Sequence, residues 1–353
     1  MHKLHPLKIS SIEKNTPETA LLTFEVPETL KKEFSYTQGQ HLTLRHDIGG
    51  EDLRRSYSIC SSVAENCLKV AVRAVEGGRF STFVNEELAA GDTLDVMAPA
   101  GHFYVDLAPE NTRTYIAFAS GSGITPIMSI IKTTLESEPN ARFMLFYGNK
   151  TARSTIFRNE ISMMKNRYLD RFSYWHFLTQ EDLELDFFKG RLDGDKVRAL
   201  SKSLIDVDQV DHAFICGPEA MIDSVSEALI EIGMDKNAVH FEKFLSEGQT
   251  PVASKRVGDA GGTAKMTLII DGDEFNIQAD RKTAILDAAL NEGADVPFAC
   301  KGGVCCTCRA KVLKGDVDMV LNQGLEPEEV DAGYVLTCQS FAVSDDVVLS
   351  YDE

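Results

Sequence analysis

Four cysteines near the C-terminal end of the chain are the residues whose type and spacing most clearly indicate chemistry. Cys300, Cys305 and Cys308 stand close together, and 29 residues separate Cys308 from Cys338. We expect no export signal, because the first residues show no basic segment followed by an apolar one, and a clustered set of cysteines then favours a metal centre over disulfides. Cys306 lies inside the cluster but outside its spacing, so we assign it no ligand role.

The spacing distinguishes between kinds of metal centre. Four residues separate the first two cysteines and two residues separate the second from the third, which is the plant-type ferredoxin arrangement for a 2Fe-2S cluster. A tight loop must wrap the two irons, and Gly302 and Gly303 suit such a loop because glycine allows close backbone approach. Zinc is the alternative, with ligand pairs usually about two to four residues apart. We predict that four cysteines bind a 2Fe-2S cluster: Cys300, Cys305, Cys308 and Cys338.

A second group of residues lies in the first hundred positions. Arg55-Ser56-Tyr57-Ser58 falls on a predicted strand, and Gly77-Gly78-Arg79-Phe80-Ser81 stands further along, at the start of a predicted helix. Backbone N–H groups at a helix N-terminus attract anions, and the Ser81 hydroxyl adds a donor. The pair of segments therefore suits a phosphate-bearing ligand. An ordinary amphipathic strand and a glycine turn before a helix cap are the structural alternatives.

Two glycine turns follow predicted strands in the middle of the chain. Gly121-Ser122-Gly123-Ile124-Thr125-Pro126 comes directly after the strand Tyr115–Ala119, and Cys216-Gly217-Pro218-Glu219-Ala220-Met221 follows the strand Ala213–Cys216. Glycines permit a tight strand-to-helix turn whose N–H groups face a dinucleotide pyrophosphate. A buried cysteine before a helix-starting proline is the structural alternative for Cys216.

Taken together, these motifs resemble those of the ferredoxin–NADP reductase superfamily, and the likeness covers the whole chain. The resemblance implies that Arg55 pairs with a flavin phosphate, that Tyr57 lies against the isoalloxazine ring and that the Ser58 hydroxyl sits near flavin N5. It also implies that Cys216 lines the hydride-transfer site and that Phe244 shields the far face of the flavin. The catalytic residues expected on this basis are Tyr57, Ser58 and Cys216. The expected cofactor-binding residues are Arg55, Ser56, Tyr57, Ser58, Gly78, Arg79, Phe80, Ser81, Gly121, Gly123, Thr125, Pro126, Arg153, Arg191, Cys216, Gly217, Pro218, Met221 and Phe244.

The same resemblance bears on the cofactors. FAD is the implied flavin, with FMN as the less favoured alternative. Arg153 and Arg191 fall where NADP-dependent relatives place the arginines that bind the 2′-phosphate. Thr179-Gln180 stands where many of those relatives have a Ser-Arg pair, and no acidic residue replaces the missing cation to reject the phosphate. We therefore expect NADPH as the electron donor, with NADH as the alternative.

The elements that must position these residues suggest a multidomain protein. Six short strand-like runs in the first hundred residues predict an antiparallel β-barrel, interrupted by a helix over Ser81–Leu88 with Ser81 as its N-cap. From Thr114, strands alternate with helices, one of them over Ser154–Met164, as in a doubly wound parallel sheet. A small α+β unit of β-grasp type follows. We predict an FAD-binding barrel over 1–110, an α/β nicotinamide domain over 111–246, a linker over 247–264 and a 2Fe-2S ferredoxin domain over 265–353.

Composition and charge limit the partners. The chain has 353 residues with 36 basic and 54 acidic side chains, a net charge of −18, which disfavours nucleic acid. Residues 263–353 alone carry 7 basic and 17 acidic side chains. That excess suits docking onto a basic surface or, equally well, solubility alone. We expect no membrane association, because no apolar run has the length of a membrane span, and we expect a reducing cytoplasm from the clustered cysteines.

The closer likeness lies in Gly333–Ser340 and in the Cys300 loop, which resemble the reductase subunits of phenylacetyl-CoA epoxidase systems. It implies an NAD(P)H-dependent oxidoreductase that passes electrons through FAD and a 2Fe-2S cluster to an oxygenase component, here a di-iron epoxidase of phenylacetate catabolism. A flavin is needed between the two because NADPH gives two electrons at once and the cluster accepts one. Alternatives are a reductase for hybrid-cluster protein or a ring-hydroxylating oxygenase, a free-standing NAD(P)H oxidase or quinone reductase, and a redox sensor.

Overall fold

Three sheets organise the chain in a computed structural model that describes residues 3–181, 185–244 and 261–353. The barrel and the C-terminal sheet each enclose one buried core, and the parallel sheet between them in sequence has a core on both faces. Two-sided burial explains why that sheet's strands are continuous apolar runs such as Tyr115–Ala119. Within the described ranges, no helix is long and apolar enough to cross a membrane.

The predicted barrel is confirmed. Its sheet has the order β4-β3-β6-β1-β2-β5, and an Ile59–Val70 bridge joins the two outermost strands. A helix, α1, spans Arg79–Glu86, two residues earlier than predicted, with Gly78 and not Ser81 at its N-cap. The strands are β1 (Leu4–Thr16), β2 (Thr19–Glu25), β3 (His41–Asp47), β4 (Asp52–Ser58), β5 (Leu68–Arg73) and β6 (Thr93–Met97).

The second sheet is fully parallel, in the order β11-β10-β7-β8-β9, as the doubly wound prediction requires. Its strands are β7 (Thr114–Ser120), β8 (Arg142–Asn149), β9 (Phe172–Leu178), β10 (His212–Gly217) and β11 (Val239–Lys243). Its helices are α2 (Ile124–Ser137), α3 (Arg158–Arg167), α4 (Gly194–Leu200) and α5 (Glu219–Glu231). The sequence analysis missed β11, because this edge strand is mostly half-exposed and lacks a regular apolar alternation.

Helix α3 begins four residues later than the predicted Ser154–Met164. Thr151 accepts a hydrogen bond from the Ser154 N–H at 3.2 Å, which closes a short capped turn ahead of the helix. Phe157 then adopts a left-handed backbone conformation with φ 60°, which the α-helix cannot include. The polar residues that suggested a helix start thus cap a separate turn.

The C-terminal region is a mixed sheet with the order β13-β12-β18-β14-β16 and a small two-stranded partner, β15-β17. Most of the predicted linker lies outside the described residues, and β12 begins at Thr263, two residues before the predicted domain start. The elements are β12 (Thr263–Ile270), β13 (Asp273–Asp280), α6 (Ile285–Asn291), β14 (Arg309–Lys314), β15 (Val317–Met319), α7 (Pro327–Asp331), β16 (Tyr334–Leu336), β17 (Ser340–Ala342) and β18 (Asp346–Ser350). Three-residue β15 and β17 were too short to predict.

Candidate redox site

The Arg55–Ser58 segment forms the end of β4, paired in register with β3. Side chains alternate across a strand, so Arg55 and Tyr57 share one side while Ser56 and Ser58 take the other. The Tyr57 ring lies 6.0 Å from the ring of Phe80, the second residue of α1, at an angle of 32°. The tyrosine strand and the start of α1, which are separate in sequence, thus meet on one side of the barrel.

Ser81 closes the glycine turn in a way that differs from the predicted N-cap. It is the third residue of α1 and is buried. Its hydroxyl accepts from the Val75 N–H at 3.2 Å, and Gly77 in between has φ +75°, a conformation that favours glycine. The Arg79 side chain is exposed and donates to the Glu51 carboxylate and the Ile48 carbonyl, so it ties α1 to the β3–β4 turn.

The two glycine turns of the parallel sheet pack backbone against backbone. A side chain at Gly123 would place its Cβ only 2.1 Å from the Cys216 carbonyl oxygen, so only glycine fits there. Gly217 is less tightly enclosed, since a Cβ there would lie 2.7 Å from the mobile end of the Met221 side chain and 3.0 Å from the Ser120 Cβ. The close approach of the two turns therefore depends on the missing side chain at Gly123.

Further contacts hold each turn to the helix that follows it. The Tyr147 hydroxyl donates to the Gly121 carbonyl at 2.9 Å and fixes the first turn. Thr125 and Pro126 are buried in the first turn of α2. In the second turn, Pro218 is the exposed N-cap of α5. Both predicted turns thus lie where a parallel strand passes into a helix.

Ser58, Cys216 and Glu242 meet where the barrel faces the parallel sheet. The Ser58 hydroxyl donates to Glu242 Oε2 at 3.3 Å. Glu242 is the register partner of Cys216 across β10 and β11. Burial raises the pKa of Glu242 to about 8, and burial followed by the nearby Glu242 charge raises the pKa of the Cys216 thiol. Two predicted residues are therefore joined by a titratable group.

The sequence analysis missed Glu242. Phe244 was selected instead; it is 39% exposed and lies directly after β11, which ends at Lys243. A lone acidic residue between aromatic and basic neighbours on a short run was the available signal, and it carries no spacing rule. Only the register with Cys216 shows what Glu242 faces.

The predicted phosphate site contains a carboxylate that the sequence analysis did not place there. Arg153 and Arg191 are both exposed on the loops that follow β8 and β9. Glu181, directly after Gln180, accepts from the Ala152 N–H at 2.8 Å. The carboxyl ends of β8 and β9 are neighbours, so residues after the two strands come together. No acidic residue occupies Thr179-Gln180, and Glu181 brings a carboxylate to the same loop region.

The cysteine loop brings its thiols together in two pairs. Cys305 contacts Cys300, and Cys308 contacts Cys338 across the loop. The Cys305 thiol, and then the N–H groups of Gly302 and Cys305, lower the pKa of Cys300 to about 7. Within the described ranges no three metal-binding side chains converge on one point, as a single metal ion would require. Two thiol pairs fit two irons, each with two thiolates.

The loop backbone also fits a cluster. Gly303 has φ +75°, and a Cβ there would lie 3.1 Å from the Leu321 carbonyl oxygen, so the loop can wrap closely only with glycine. Gln339, next to Cys338, donates to the Lys301 carbonyl at 2.9 Å and joins the fourth cysteine's segment to the loop. Cys306 points elsewhere: its thiol lies 3.8 Å from the Val304 carbonyl oxygen.

Family models match all three regions of the chain. The oxidoreductase FAD-binding domain matches residues 6–104, the oxidoreductase NAD-binding domain residues 118–227, and the 2Fe-2S iron-sulfur cluster binding domain residues 268–343. The chain belongs to the family of flavin- and NAD-dependent reductases with a C-terminal 2Fe-2S domain. It is an oxidoreductase that uses FAD, a nicotinamide coenzyme and a 2Fe-2S cluster.

Two relatives and one solved structure extend over nearly the whole chain. A subunit of the 1,2-phenylacetyl-CoA epoxidase from Escherichia coli (strain K12) is 44% identical over 100% of this chain and 99% of its own length. The ferredoxin reductase component of 3-ketosteroid-9-alpha-monooxygenase from Rhodococcus rhodochrous is 32% identical over 98% and 96%. Phthalate dioxygenase reductase has a TM-score of 0.60 at 24% identity, covering 98% of both chains, and confirms the three-part fold.

Proposed function

We propose that this reductase delivers electrons from NADPH to the oxygenase component of a phenylacetyl-CoA epoxidase. The observation that supports it best is the 44% identity over the full length to a subunit of such an epoxidase, well above the 32% identity to the steroid monooxygenase component. Both relatives are named as parts of multicomponent oxygenases, which supports an oxygenase as the electron acceptor. None of the eight cysteines is paired in a disulfide, which supports a reducing cytoplasmic setting.

The flavin half of the proposal assigns roles to residues of the barrel and of the parallel sheet. FAD supplies the step between a two-electron hydride donor and a one-electron acceptor. Arg55 and the α1 turn at Gly78–Ser81 hold its phosphates, and Tyr57 lies against its ring. Ser58 and Cys216 border the position where hydride arrives, with Glu242 between them. Phe244, directly after β11, covers the far face of the flavin ring.

The nicotinamide half rests on the two glycine turns. Gly121, Gly123, Thr125 and Pro126 form the turn that faces the pyrophosphate, and the Cys216-Gly217-Pro218 turn, supported by Met221, positions the nicotinamide. The two turns approach each other closely at Gly123 and Cys216. The four cysteines hold the cluster as two pairs. We propose the domain limits 1–110, 111–246 and 265–353; the first two enclose the barrel and the parallel sheet, and β12 begins two residues before the third.

Arg153 and Arg191 support NADPH as the donor, since each presents an exposed guanidinium where a 2′-phosphate can bind. Replacing Arg153 by Ala is expected to raise KM for NADPH by about tenfold, the scale of one charged hydrogen bond, and to leave KM for NADH nearly unchanged. Glu181→Gln, which removes the neighbouring carboxylate, should lower KM for NADPH. Equal effects of Arg153→Ala on both coenzymes would remove it from the phosphate site, and a wild-type preference for NADH would overturn the choice of donor.

The experiment that tests the acceptor is reconstitution with purified oxygenase components. We expect NADPH-driven oxidation of phenylacetyl-CoA with the epoxidase oxygenase subunits, and no oxidation of the steroid when the oxygenase of the steroid monooxygenase and its own substrate replace them. If turnover occurs only with another oxygenase, the protein is assigned to that oxygenase system instead. If every oxygenase fails while artificial quinone acceptors are reduced, a free-standing quinone reductase replaces the proposal.

A further inference from the structure

The β3–β4 strand pair has two sides with different neighbours. Residues directly opposed in an antiparallel pair share a side, and Leu42 is paired with Tyr57 as Leu44 is paired with Arg55. Leu42 and Leu44 are fully buried in the barrel core. The residues between them in sequence therefore face the opposite side of the pair.

That opposite side is covered by the ferredoxin domain. The Thr43 and Thr307 hydroxyl oxygens lie 3.4 Å apart in a buried contact. The His41 ring lies against the backbone of Cys305. The Arg54 guanidinium carbon lies 4.1 Å from the centre of the Phe298 ring. The cysteine loop is thus seated on the back of the strand pair that carries the Arg55–Ser58 segment.

Arg54 and Phe298 form the best-defined of these contacts. Arg54 is only 7% exposed, and its Nε and Nη2 atoms donate to the two carboxylate oxygens of Asp52 at 3.3 and 3.0 Å. This fork fixes the position of the planar guanidinium over the aromatic face of Phe298. Phe298 stands two residues before Cys300, and Lys301 supplies a second cation 5.0 Å from its ring centre. These contacts with the barrel hold in place the chain segment that leads into the cysteine loop.

A second, weaker contact joins the ferredoxin domain to the parallel sheet. Gln323 Nε2 donates to Glu219 Oε1 at 3.3 Å, beside the Cys216–Pro218 turn. The Gln323 N–H donates to the Gly303 carbonyl at 3.0 Å within the cysteine loop. The Gln323–Glu219 contact is exposed, so it orients the domain with less energy than the Arg54–Phe298 contact.

We propose that Arg54 and Phe298 are positioning residues that hold the cysteine loop against the flavin-binding strand pair, so that electrons pass along this strand pair to reach the cluster. Ser58 is the register partner of His41, and His41 contacts Cys305, which gives a continuous path of neighbours. The step so positioned moves one electron: the flavin is oxidised, one ferric iron is reduced, and no bond forms or breaks. The inference rests on the flavin and cluster roles proposed above.

The test follows the two redox centres separately in the holoprotein. After rapid mixing with NADPH, absorbance reports flavin reduction and freeze-quenched electron paramagnetic resonance reports cluster reduction. Phe298→Leu and Arg54→Met should each slow cluster reduction by up to about tenfold, the scale of a desolvated cation–π contact, with flavin reduction unchanged. The double variant should be no slower than the slower single variant, because both remove the same contact. Phe298→Tyr, which keeps the ring, should restore the wild-type rate.

A readout independent of turnover is hydrogen–deuterium exchange of the oxidised protein. Both single variants should raise exchange in β3 and in residues 300–308, while Phe298→Tyr should not. Arg45→Met is the matched control, because Arg45 is the cross-strand neighbour of Arg54 and also pairs with Asp52, but its other ion pair, to Asp95, stays within the barrel. It should leave cluster reduction at the wild-type rate.

The outcomes separate this inference from the proposed function. If the wild-type flavin is reduced but its cluster is not, the proposed function fails. If wild-type transfer is normal and the Arg54 and Phe298 variants match it in rate and in exchange, the positioning role is wrong. Equal slowing by Arg45→Met would also overturn it, because the effect would then follow charge and not the contact. If Phe298→Leu loses its iron, its rate of cluster reduction no longer reports on the contact. The rate in Arg54→Met, whose substitution lies in the barrel, then decides whether the positioning role holds.

Discussion

The cysteine loop and the flavin–nicotinamide site are built in opposite ways. Three of the four cluster cysteines lie on one loop, and the N–H groups that stabilise the Cys300 sulfur come from that same loop. The proposed hydride site takes Ser58 from β4, Cys216 from β10 and Glu242 from β11, and Ser58 and Glu242 are 184 positions apart. Damage to the loop should therefore stay local, whereas small changes in the flavin–nicotinamide site should disturb contacts between whole domains.

The largest expected effect is loss of the cluster without loss of flavin reduction, which would separate the cysteine loop from the flavin–nicotinamide site. Cys305→Ser and Cys338→Ser should each remove or cripple the cluster, because each leaves one thiol pair incomplete, while NADPH still reduces the flavin. Iron and acid-labile sulfide analysis, with visible spectra, measures both. Cys306→Ser is the matched control and should keep its iron. Loss of flavin from the cysteine variants would show that the two regions are not independent.

Gly123→Ala should have an almost equally large effect on the proposed flavin–nicotinamide site. Its Cβ would fall 2.1 Å from the Cys216 carbonyl oxygen, so the two turns must move apart. A displacement of that size at the hydride site should slow flavin reduction by about a hundredfold. Stopped-flow absorbance measures it, with Ser122→Ala as the control. An unchanged rate in Gly123→Ala would mean that the turns do not set the hydride geometry.

Glu242 should make flavin reduction depend on pH. Its raised pKa of about 8 keeps it protonated and neutral below that pH. Deprotonation above pH 8 places a negative charge beside Ser58, where it opposes the arriving hydride, so the rate should fall as pH rises through about 8. Glu242→Gln should flatten this part of the profile. The same inflection in the variant would assign it to another group.

The smallest expected effect concerns the acidic surface of the ferredoxin domain. Glu329 is engaged, because Arg309 donates to it at 2.6 Å, so it is unsuitable for a charge test. Glu328 and Asp331 are exposed on α7. If they steer docking onto a basic partner, Glu328→Lys with Asp331→Lys should slow electron delivery a few-fold, and salt should do the same to the wild type. If electron delivery is insensitive both to the two substitutions and to salt, the acidic surface of the ferredoxin domain has a role in solubility only.

Elements with strong local patterns were predictable from the sequence. The central parallel strands β7, β8 and β10 are largely buried on both faces, so their apolar runs show plainly, and the barrel strands were located to within a few residues. Predictions failed where a tertiary contact overrides local preference. Helix α1 starts earlier than predicted, with Gly78 as its N-cap, because Ser81 bonds to the preceding turn. Strand β11 was not predicted, because an edge strand needs little apolar surface.

The four cysteines proposed as cluster ligands could be selected from the sequence alone, because a loop that must surround two irons fixes the spacing of Cys300, Cys305 and Cys308. The Ser58–Cys216–Glu242 contact, the Glu181 carboxylate beside Arg153 and the Arg54–Phe298 contact were decided only by the tertiary structure. Each joins side chains brought together by strand register or by the docking of one domain on another. Residue type and local spacing carry no record of such neighbours, since the packing that creates them depends on the whole chain.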